Sequence, residues 1–243
     1  MTYIDLDRLA DAYRLRPMSA HAHNRALAAA QGCGGWLLDI GGGAGLHGAT
    51  WKRELTENEV RPVIIDPSPA MLAQAGRITG LGLVRAEAQR LPMSDDTCGL
   101  AYFHMSIHYG EWPKAVDEAL RVVAPGGRVE VWTIAPAAIE RSSLGRWFPR
   151  VVEIDTARFP EPVDIAGHCV SRGGTVSVSS VTEPIVRRAG DWTEAVRGRF
   201  VSTLQLLGDE EIEAGLAEFA AEFPDEDAEY AYSMELTRIS TVV

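Results

Sequence analysis

The chain has 243 residues, of which 46% are hydrophobic and 23% are charged, and its formal net charge is −11. This composition is ordinary for a folded globular protein, and the excess of acids argues against the broad basic surface of a nucleic-acid-binding protein. No run approaches the roughly 20 apolar residues of a membrane-spanning helix. The length predicts one α/β domain over residues 1–243.

Neither a secretory signal nor a metal site is indicated by the sequence. The first ten residues contain three acids and no apolar core, which is unlike a signal peptide. Cys33, Cys98 and Cys169 have no CxxC spacing, as expected of reduced thiols in a cytoplasmic protein. From these cysteines we predict a cytoplasmic location. His21 and His23 would point apart on a helix, so we predict no metal site.

The first 34 residues are predicted to be helical. Leu6, Leu9, Ala10 and Tyr13 form one apolar stripe, and an alanine-rich stretch follows within the predicted helical region 3–30. In a nucleotide-binding fold, helices ahead of the first strand often close over the ligand.

The stretch GWLLDIGGGAG, residues 35–45, predicts a buried strand followed by a glycine turn. Glycines permit positive φ and a close approach of backbone amides to a ligand. Two frames compete here. One is the dinucleotide fingerprint GxGxxG over residues 43–48. The other places an acid ahead of the glycines, which would attract a cationic ligand: Asp39, Gly41, Gly43 and Gly45.

The second strand is predicted over 61–66 and ends in Asp66. Pro67 and the residues after it turn the chain into a helix, with Ser68 as its cap. At the tip of this strand the two oxygens of Asp66 could accept both ribose hydroxyls of an adenosine. The alternative is that Asp66 is only a capping or surface residue.

Three further strands are predicted in this half of the chain, over 81–87, 98–104 and 128–134. The segment AEAQRLP follows the third strand, and a helix over 112–123 separates the fourth strand from the fifth. Residues 104–109 leave the carboxyl end of the fourth strand, which is the edge where ligands bind in open α/β sheets.

Four segments in order, DIGGGAG, IDPSPAML, AEAQRLP and ALRVVAPGGRVEVW, resemble class I S-adenosylmethionine-dependent methyltransferases. The likeness is greatest to the small-molecule group that includes ubiquinone and menaquinone methyltransferases. Glu87 stands where that family usually has Asp, and Met93 where it has Phe. The resemblance implies a Rossmann-like α/β fold, with a seven-stranded, mostly parallel sheet, helices on both faces and a helical lid.

The resemblance also implies a cofactor, S-adenosylmethionine, and a product, S-adenosylhomocysteine. It implies methyl transfer to a small organic molecule by in-line displacement. The residues that it assigns to the cofactor fall into four groups. The methionine end takes Asp39, Gly41, Gly43 and Gly45; the ribose and adenine take Asp66, Pro67 and Met71; the adenine edge takes Glu87, Ala88 and Gln89; and the methionine portion is flanked by His104 and Met105.

The second half, residues 135–243, is predicted to carry the lid, whereas residues 35–134 form the cofactor-binding half. After several short helical stretches, a sixth strand is predicted over 175–181. Apolar residues over 192–207 predict one amphipathic helix, and those over 212–223 predict another. The last strand is predicted over 230–243. We expect the helical pair between the two strands to form part of a substrate lid.

His108 is the first candidate for a general base, because it follows the fourth strand and titrates near neutrality. The alternative is that His108 only shapes the pocket or binds the cofactor. Tyr109, Trp112 and Trp132 are candidates for lining the acceptor pocket, and ordinary core positions explain them equally well. Two other functions stay open: an NAD(P)-dependent oxidoreductase that uses the GxGxxG frame, and a non-catalytic methyltransferase-like binding subunit.

Overall fold

The computed structural model describes residues 4–7, 9–10, 19–55 and 59–243. The predicted helical region 3–30 therefore lies partly outside the described residues. Its described portion ends in a helix that begins after Ser19, whose hydroxyl accepts the Ala22 amide. The strands are β1 (Trp36–Ile40), β2 (Arg61–Ile65), β3 (Gly82–Val84), β4 (Cys98–His104), β5 (Val123–Thr133), β6 (Thr175–Arg188) and β7 (Glu229–Val242).

The seven strands form one sheet in the order β3-β2-β1-β4-β5-β7-β6. The pairs among β1 to β5 are parallel, and β7 runs antiparallel to both of its neighbours. This confirms the predicted mostly parallel sheet. The glycine turn follows β1, and Asp66 follows β2. Both lie at the same edge of the sheet, because the carboxyl ends of the parallel strands meet there.

The predicted strand bounds were wrong in three places. β3 is only three residues long, β5 begins at Val123 and takes in the glycine turn, and β6 continues to Arg188. The extension of β6 passes through Pro184, which lacks an N–H donor. An edge strand tolerates this residue because one side of its backbone has no ladder to complete.

Helices cover both faces of the sheet, as predicted. They are α1 (Ala20–Ala30), α2 (Leu46–Glu54), α3 (Pro69–Ala75), α4 (Trp112–Val122), α5 (Pro136–Ile139), α6 (Ser143–Trp147), α7 (Pro149–Arg158), α8 (Pro162–Ser171), α9 (Ala189–Arg197) and α10 (Asp209–Glu222). Among the described residues, none of the helices is long and apolar enough to cross a membrane.

The two faces of the sheet bury different chemistry. On one face, aliphatic residues such as Leu38 and Val129 pack against α4 and α8. On the other face, Leu37, Tyr102 and Trp132 pack against α1 and α2. This second face also carries buried charges, for example Glu130, which accepts two hydrogen bonds from Arg238 at 2.8 and 2.6 Å.

The β6–β7 hairpin projects past the rest of the sheet at the edge where the parallel strands end. β5 pairs with β7 only from Arg128–Val242 to Thr133–Thr237, whereas β6 and β7 stay paired as far as Arg188 and Glu229. The projecting part supports a separate apolar cluster formed by α6, α7, α9, α10 and the start of β7. Its fully buried centre includes Trp192 and Phe219, whose ring centroids lie 4.1 Å apart.

The helix predicted over 192–207 is wrong in its second half. α9 ends at Arg197, and Arg199 has a positive φ of 52°, which breaks the helical path. A short 3₁₀ helix, Ser202–Leu206, then continues the chain. The Arg199 side chain donates to the carbonyl of Leu207 at 2.9 Å, so the bend has its own hydrogen bonds, which hydrophobic periodicity does not reveal.

Candidate active site

The glycine turn after β1 is a tight backbone structure. Gly41, Gly43 and Gly45 have φ values of 69°, 52° and 79°, in the left-handed region that glycine adopts at least cost. The amide of Gly41 donates to the carbonyl of Ile65 at 2.7 Å, which ties the turn to the end of β2. Gly45 then precedes the first turn of α2, whose positive end faces the same edge of the sheet.

Asp39 lies directly beneath this turn. Its side chain is only 1% exposed, and its Oδ2 atom accepts no hydrogen bond from the residues that the structure describes. A Cβ atom built on Gly42 would lie 2.6 Å from the Asp39 Cγ. Nδ1 of His47 lies 3.5 Å from Oδ2. A buried carboxylate without a full set of partners is a suitable neighbour for a cationic ligand on the turn.

Asp66 holds the turn from the side of β2. Its Oδ2 accepts the Gly43 amide and its Oδ1 accepts the Ser68 amide, both at 2.9 Å. Burial raises the pKa of Asp66, although the two amides oppose that shift. These two contacts tie Asp66 to the glycine turn and close an Asx turn ahead of the helix, which Ser68 itself caps. Each oxygen keeps a second lone pair, so these contacts leave the predicted ribose contact possible.

The residues after Asp66 begin α3, and the described part of the N-terminal segment covers this beginning. Ser68 Oγ accepts the Met71 amide at 3.1 Å and donates to Asp7 at 2.5 Å. Leu9 and Ala10 are buried in one small cluster with Met71. The described part of the N-terminal segment thus packs over the start of α3, next to the turn that carries Pro67.

The segment after β3 is anchored through α4. Glu118 accepts the Leu91 amide at 2.8 Å, and Arg121 donates to the carbonyl of Met93 at 2.9 Å. Gln89 packs so closely against Gly110 that a Cβ atom there would overlap its amide group. Glu87 is exposed and Ala88 partly exposed, so these two predicted cofactor residues lie on an accessible part of the same edge.

His104 and Met105 end β4 beside the glycine turn. Arg25 of α1 contacts His104, with 3.0 Å between its Nη2 and the imidazole Nε2. The His104 and His47 ring centroids lie 4.6 Å apart. Met105 has a positive φ of 54°, and its amide donates to the Trp132 carbonyl at 2.9 Å. The structure thus brings β1, β4 and the predicted methionine-end residues together.

Comparison with known proteins agrees with this arrangement. A family described as "Methyltransferase domain" matches residues 37–127. This part runs from β1 into the start of β5 and contains the glycine turn. The match identifies a methyltransferase domain in this chain, and the fold around it is that of class I S-adenosylmethionine-dependent methyltransferases. This confirms the family that the four sequence segments predicted.

Individual relatives are distant from this methyltransferase. A malonyl-[acyl-carrier protein] O-methyltransferase of Methylococcus capsulatus is 27% identical over 106 residues, which is 42% of this chain and 38% of that protein. The chain therefore matches well under half the length of that curated relative. A solved structure from Anabaena variabilis, described as a "Putative methyltransferase from antibiotic biosynthesis pathway", has a TM-score of 0.77 and 17% identity, with 98% of this chain and 100% of that chain covered.

A second solved structure, a SAM-dependent methyltransferase of Thermotoga maritima, has a TM-score of 0.51 at 16% identity. It covers 98% of this chain and 87% of that chain. At this level of identity, the solved structures show that the fold of the methyltransferase is shared.

His108 lies in a short 3₁₀ helix after β4, where the two halves of the methyltransferase meet. Its ring stacks on Phe159 with 3.8 Å between centroids, and the centroid of the Tyr109 ring lies 4.3 Å away. Its Nδ1 is buried and has no hydrogen-bond partner among the described residues. Burial, with a smaller effect of the Arg158 charge, lowers the pKa of His108 well below its usual range.

A polar cluster surrounds this contact. Arg158 donates to Asp155 at 3.2 Å, and Thr203 also donates to Asp155, at 2.6 Å. The Arg158 guanidinium lies over the Tyr109 ring at 5.4 Å. The end of α7 therefore connects the segment after β4 to the 3₁₀ helix that follows α9.

The other predicted lining residues are in different surroundings. Trp112 is partly buried at the start of α4 and meets His168 edge-on at 5.6 Å. Trp132 is 5% exposed, and its ring lies 5.2 Å below the Arg25 guanidinium. Trp132 is thus next to the predicted methionine end, whereas Tyr109 lies at the His108 contact and Trp112 packs against α8.

Sequence reasoning missed four residues at this edge: His47, Arg25, Glu183 and Phe159. Only Arg25 gave a readable signal. It lies three residues after Ala22 and four before Ala29, on the buried stripe of α1, where a charge needs a specific partner. That partner is Glu183 of β6, with which Arg25 forms a buried ion pair.

Proposed function

We propose that the chain transfers the methyl group of S-adenosylmethionine to a small organic molecule and releases S-adenosylhomocysteine. The observation that carries this proposal is the buried carboxylate of Asp39, which lies under a glycine turn with an unpartnered oxygen among the described residues. A turn of this kind suits a ligand that presents an ammonium and a sulfonium. It suits a pyrophosphate poorly, because a carboxylate repels phosphate oxygens.

The cofactor residues are proposed in the groups that the sequence implied. Asp39 with Gly41, Gly43 and Gly45 would hold the methionine end, and His104 and Met105 would flank it. The ribose and adenine would be held by Asp66, Pro67, Met71, Glu87, Ala88 and Gln89. Asp66 supports this grouping because it ties the glycine turn to the start of α3, so the two parts of the site are held in one geometry.

When bound, the cofactor supplies an electrophilic methyl group. The residues of the chain then have to orient the acceptor and exclude water. We propose that the contact between His108 and Phe159 performs the second task, because it closes the exit of β4 against α7. Burial lowers the pKa of His108 and so disfavours its imidazolium form, which supports a role in shaping the pocket over that of a general base.

A small acceptor is proposed because the lid cluster occupies the edge where the parallel strands end. The projecting β6–β7 hairpin and its helices stand over that edge. An arrangement of this kind encloses a small molecule more readily than it admits a macromolecule. Trp132 and Tyr109 are the lining candidates nearest the site, and Trp112 is the most remote from it. Given the O-methyltransferase relative, carboxylic acids belong among the first acceptors to test.

Calorimetry tests the proposal directly. We expect micromolar binding of S-adenosylmethionine and S-adenosylhomocysteine and no binding of NAD or NADP. NAD and NADP are included because Gly48 fits the GxGxxG frame, whose last glycine allows the helix to pack closely on a strand. A Cβ atom at Gly48 would lie 2.6 Å from the Ile64 side chain. Tight binding of NAD alone would overturn the proposal in favour of an oxidoreductase.

Activity is tested with metabolite extracts and a cofactor that carries a deuterated methyl group. We expect a labelled product to appear only with the active protein. The matched control is Asp66→Asn, which replaces one carboxylate oxygen with an amide NH₂ group at nearly constant volume. Binding of the cofactor without any labelled product, across small molecules and carrier-bound acids, would favour the non-catalytic subunit.

A further inference from the structure

Arg25 is a buried cation whose contacts cross the sheet. It lies on the apolar side of α1 and is 7% exposed. Its guanidinium forms an ion pair with Glu183, which is itself 3% exposed and lies in the projecting part of β6. The pair therefore joins the helix ahead of the first strand to the hairpin that supports the lid.

The same guanidinium contacts His104, with 3.0 Å between Nη2 and Nε2. A guanidinium carries only hydrogen-bond donors. Nε2 of His104 must therefore accept, and an accepting Nε2 carries no proton. It follows that His104 is a neutral imidazole whose single proton lies on Nδ1.

Other groups around His104 are consistent with this state. His47 of α2 lies closest, with ring centroids 4.6 Å apart, and the Tyr102 ring stacks at 6.1 Å. The carboxylate of Asp39 is nearest to the His47 imidazole, at 3.5 Å, and the carboxylate of Glu183 is paired with Arg25. Among the described residues, Asp39 therefore lies beside His47, and Glu183 is paired with Arg25.

We propose that Arg25 is a positioning residue that holds His104 as the neutral Nδ1–H tautomer at the end of β4. The inference rests on the proposed function, in which His104 flanks the methionine portion of the cofactor. A neutral His104 avoids repulsion of a sulfonium, and its Nδ1–H is a donor suited to a carboxylate oxygen. The Arg25–Glu183 pair, rather than His104 itself, then decides the charge of this side of the site.

Nitrogen NMR of the full chain labelled with ¹⁵N-histidine reads the tautomer directly, and His104→Gln assigns the signal. In the unaltered protein at pH 7, without any ligand, we expect the pattern of a protonated Nδ1 and an accepting Nε2. A His104 signal with the proton on Nε2, or from a charged imidazolium, would overturn the proposal. The tautomer is read on the unaltered protein, and a variant is used only to assign the signal.

The variant for the second measurement is the double change Arg25→Met with Glu183→Met. Replacing Arg25 alone would leave the Glu183 charge buried and unpaired, which is strongly destabilising, whereas replacing a whole buried pair by apolar residues is often tolerated. The control is Glu130→Met with Arg238→Met, an ion pair on the same face in which Glu130 is buried and the Arg238 side chain is 30% exposed. In the first variant we expect His104 to lose its fixed tautomer, and in the control we expect it to keep it.

Calorimetry on the same proteins links the tautomer to the cofactor. We expect the Arg25 and Glu183 double variant to bind S-adenosylmethionine about tenfold more weakly than the control variant, as for the loss of one hydrogen-bonded contact. Equal affinities together with an unchanged tautomer would refute the positioning role. If no form of the protein binds the cofactor while the tautomer is as expected, the proposed function fails and the assignment of Arg25 to His104 stands.

Discussion

Gly42 offers the sharpest test of how the site is built, because it has room for no side chain. A Cβ atom at this position would lie 2.6 Å from Cγ, 2.7 Å from Oδ2 and 2.9 Å from Cβ of Asp39. Carbon atoms pack best at about 3.5–4.0 Å. Gly42→Ala must therefore move the Asp39 side chain or the turn by about 1 Å, although Asp39 is almost completely buried.

The expected cost follows from that overlap. Forcing an extra carbon into a packed interior costs about 1–3 kcal/mol, and a Gly→Ala change recovers roughly 0.5–1 kcal/mol from the unfolded chain. We expect Gly42→Ala to lower the free energy of unfolding by about 1–2 kcal/mol. Gly167→Ala is the control, because no atom lies within 4 Å of its Cβ position in α8. It should stabilise the protein by about 0.5–1 kcal/mol.

Urea unfolding of four proteins isolates the contact with Asp39: the unaltered chain, Gly42→Ala, Asp39→Ala and the double variant. Asp39→Ala removes Cγ and both oxygens, so it should relieve most of the overlap. We expect a coupling free energy of about 1 kcal/mol in the double-mutant cycle. Additive effects of the two changes would refute the reasoning, since Asp39 would then not be what excludes a side chain at Gly42.

Three further predictions concern acid–base groups and the glycine turn. Because burial raises the pKa of Asp66, folding favours its protonated form. The unaltered protein should therefore gain stability relative to Asp66→Asn as the pH falls from 7 through that raised pKa towards the pKa of the unfolded chain. A difference in the free energy of unfolding in urea that stays constant with pH would contradict this. Because the pKa of His108 is lowered well below its usual range, its titration should produce no change in kcat/KM near pH 6.5 with any acceptor. A pH dependence near 6.5 that disappears in His108→Gln would contradict this. Asp66→Ala should raise the Kd for the cofactor about 10- to 100-fold in calorimetry, since it removes the acceptor of two amides and a proposed bidentate contact.

The cofactor half could be predicted from the sequence because its signals are local. β1, β2 and β4 are short and mostly apolar runs, and each is followed within a few residues by its own turn or cap. Ser68, for example, caps α3 within three residues. The parallel order then brings the ends of β1, β2 and β4 together without any need to predict a long-range contact. For the same reason the family was readable from four short segments.

The second half could not be predicted to the same depth because its geometry depends on distant residues. The break after α9 is stabilised by Arg199, whose hydrogen bonds to later carbonyls leave no trace in hydrophobic periodicity. The length of β6 depends on β7, which begins more than 40 residues later. The ion pair of Arg25 with Glu183 joins residues 158 positions apart, and neither residue lies in a motif.

The six residues that leave β4, from His104 to Tyr109, connect these two halves. His104 contacts α1 through Arg25, and Ser106 donates to the carbonyl of Ile40 in β1 at 2.6 Å. His108 stacks on Phe159 at the end of α7. One short segment therefore touches the N-terminal helix, the glycine turn and the lid, so a change in its backbone must alter the cofactor side and the acceptor side together. A substitution confined to α9 or α10 lacks these contacts, so under the proposed function we expect it to change acceptor preference without changing the affinity for S-adenosylmethionine.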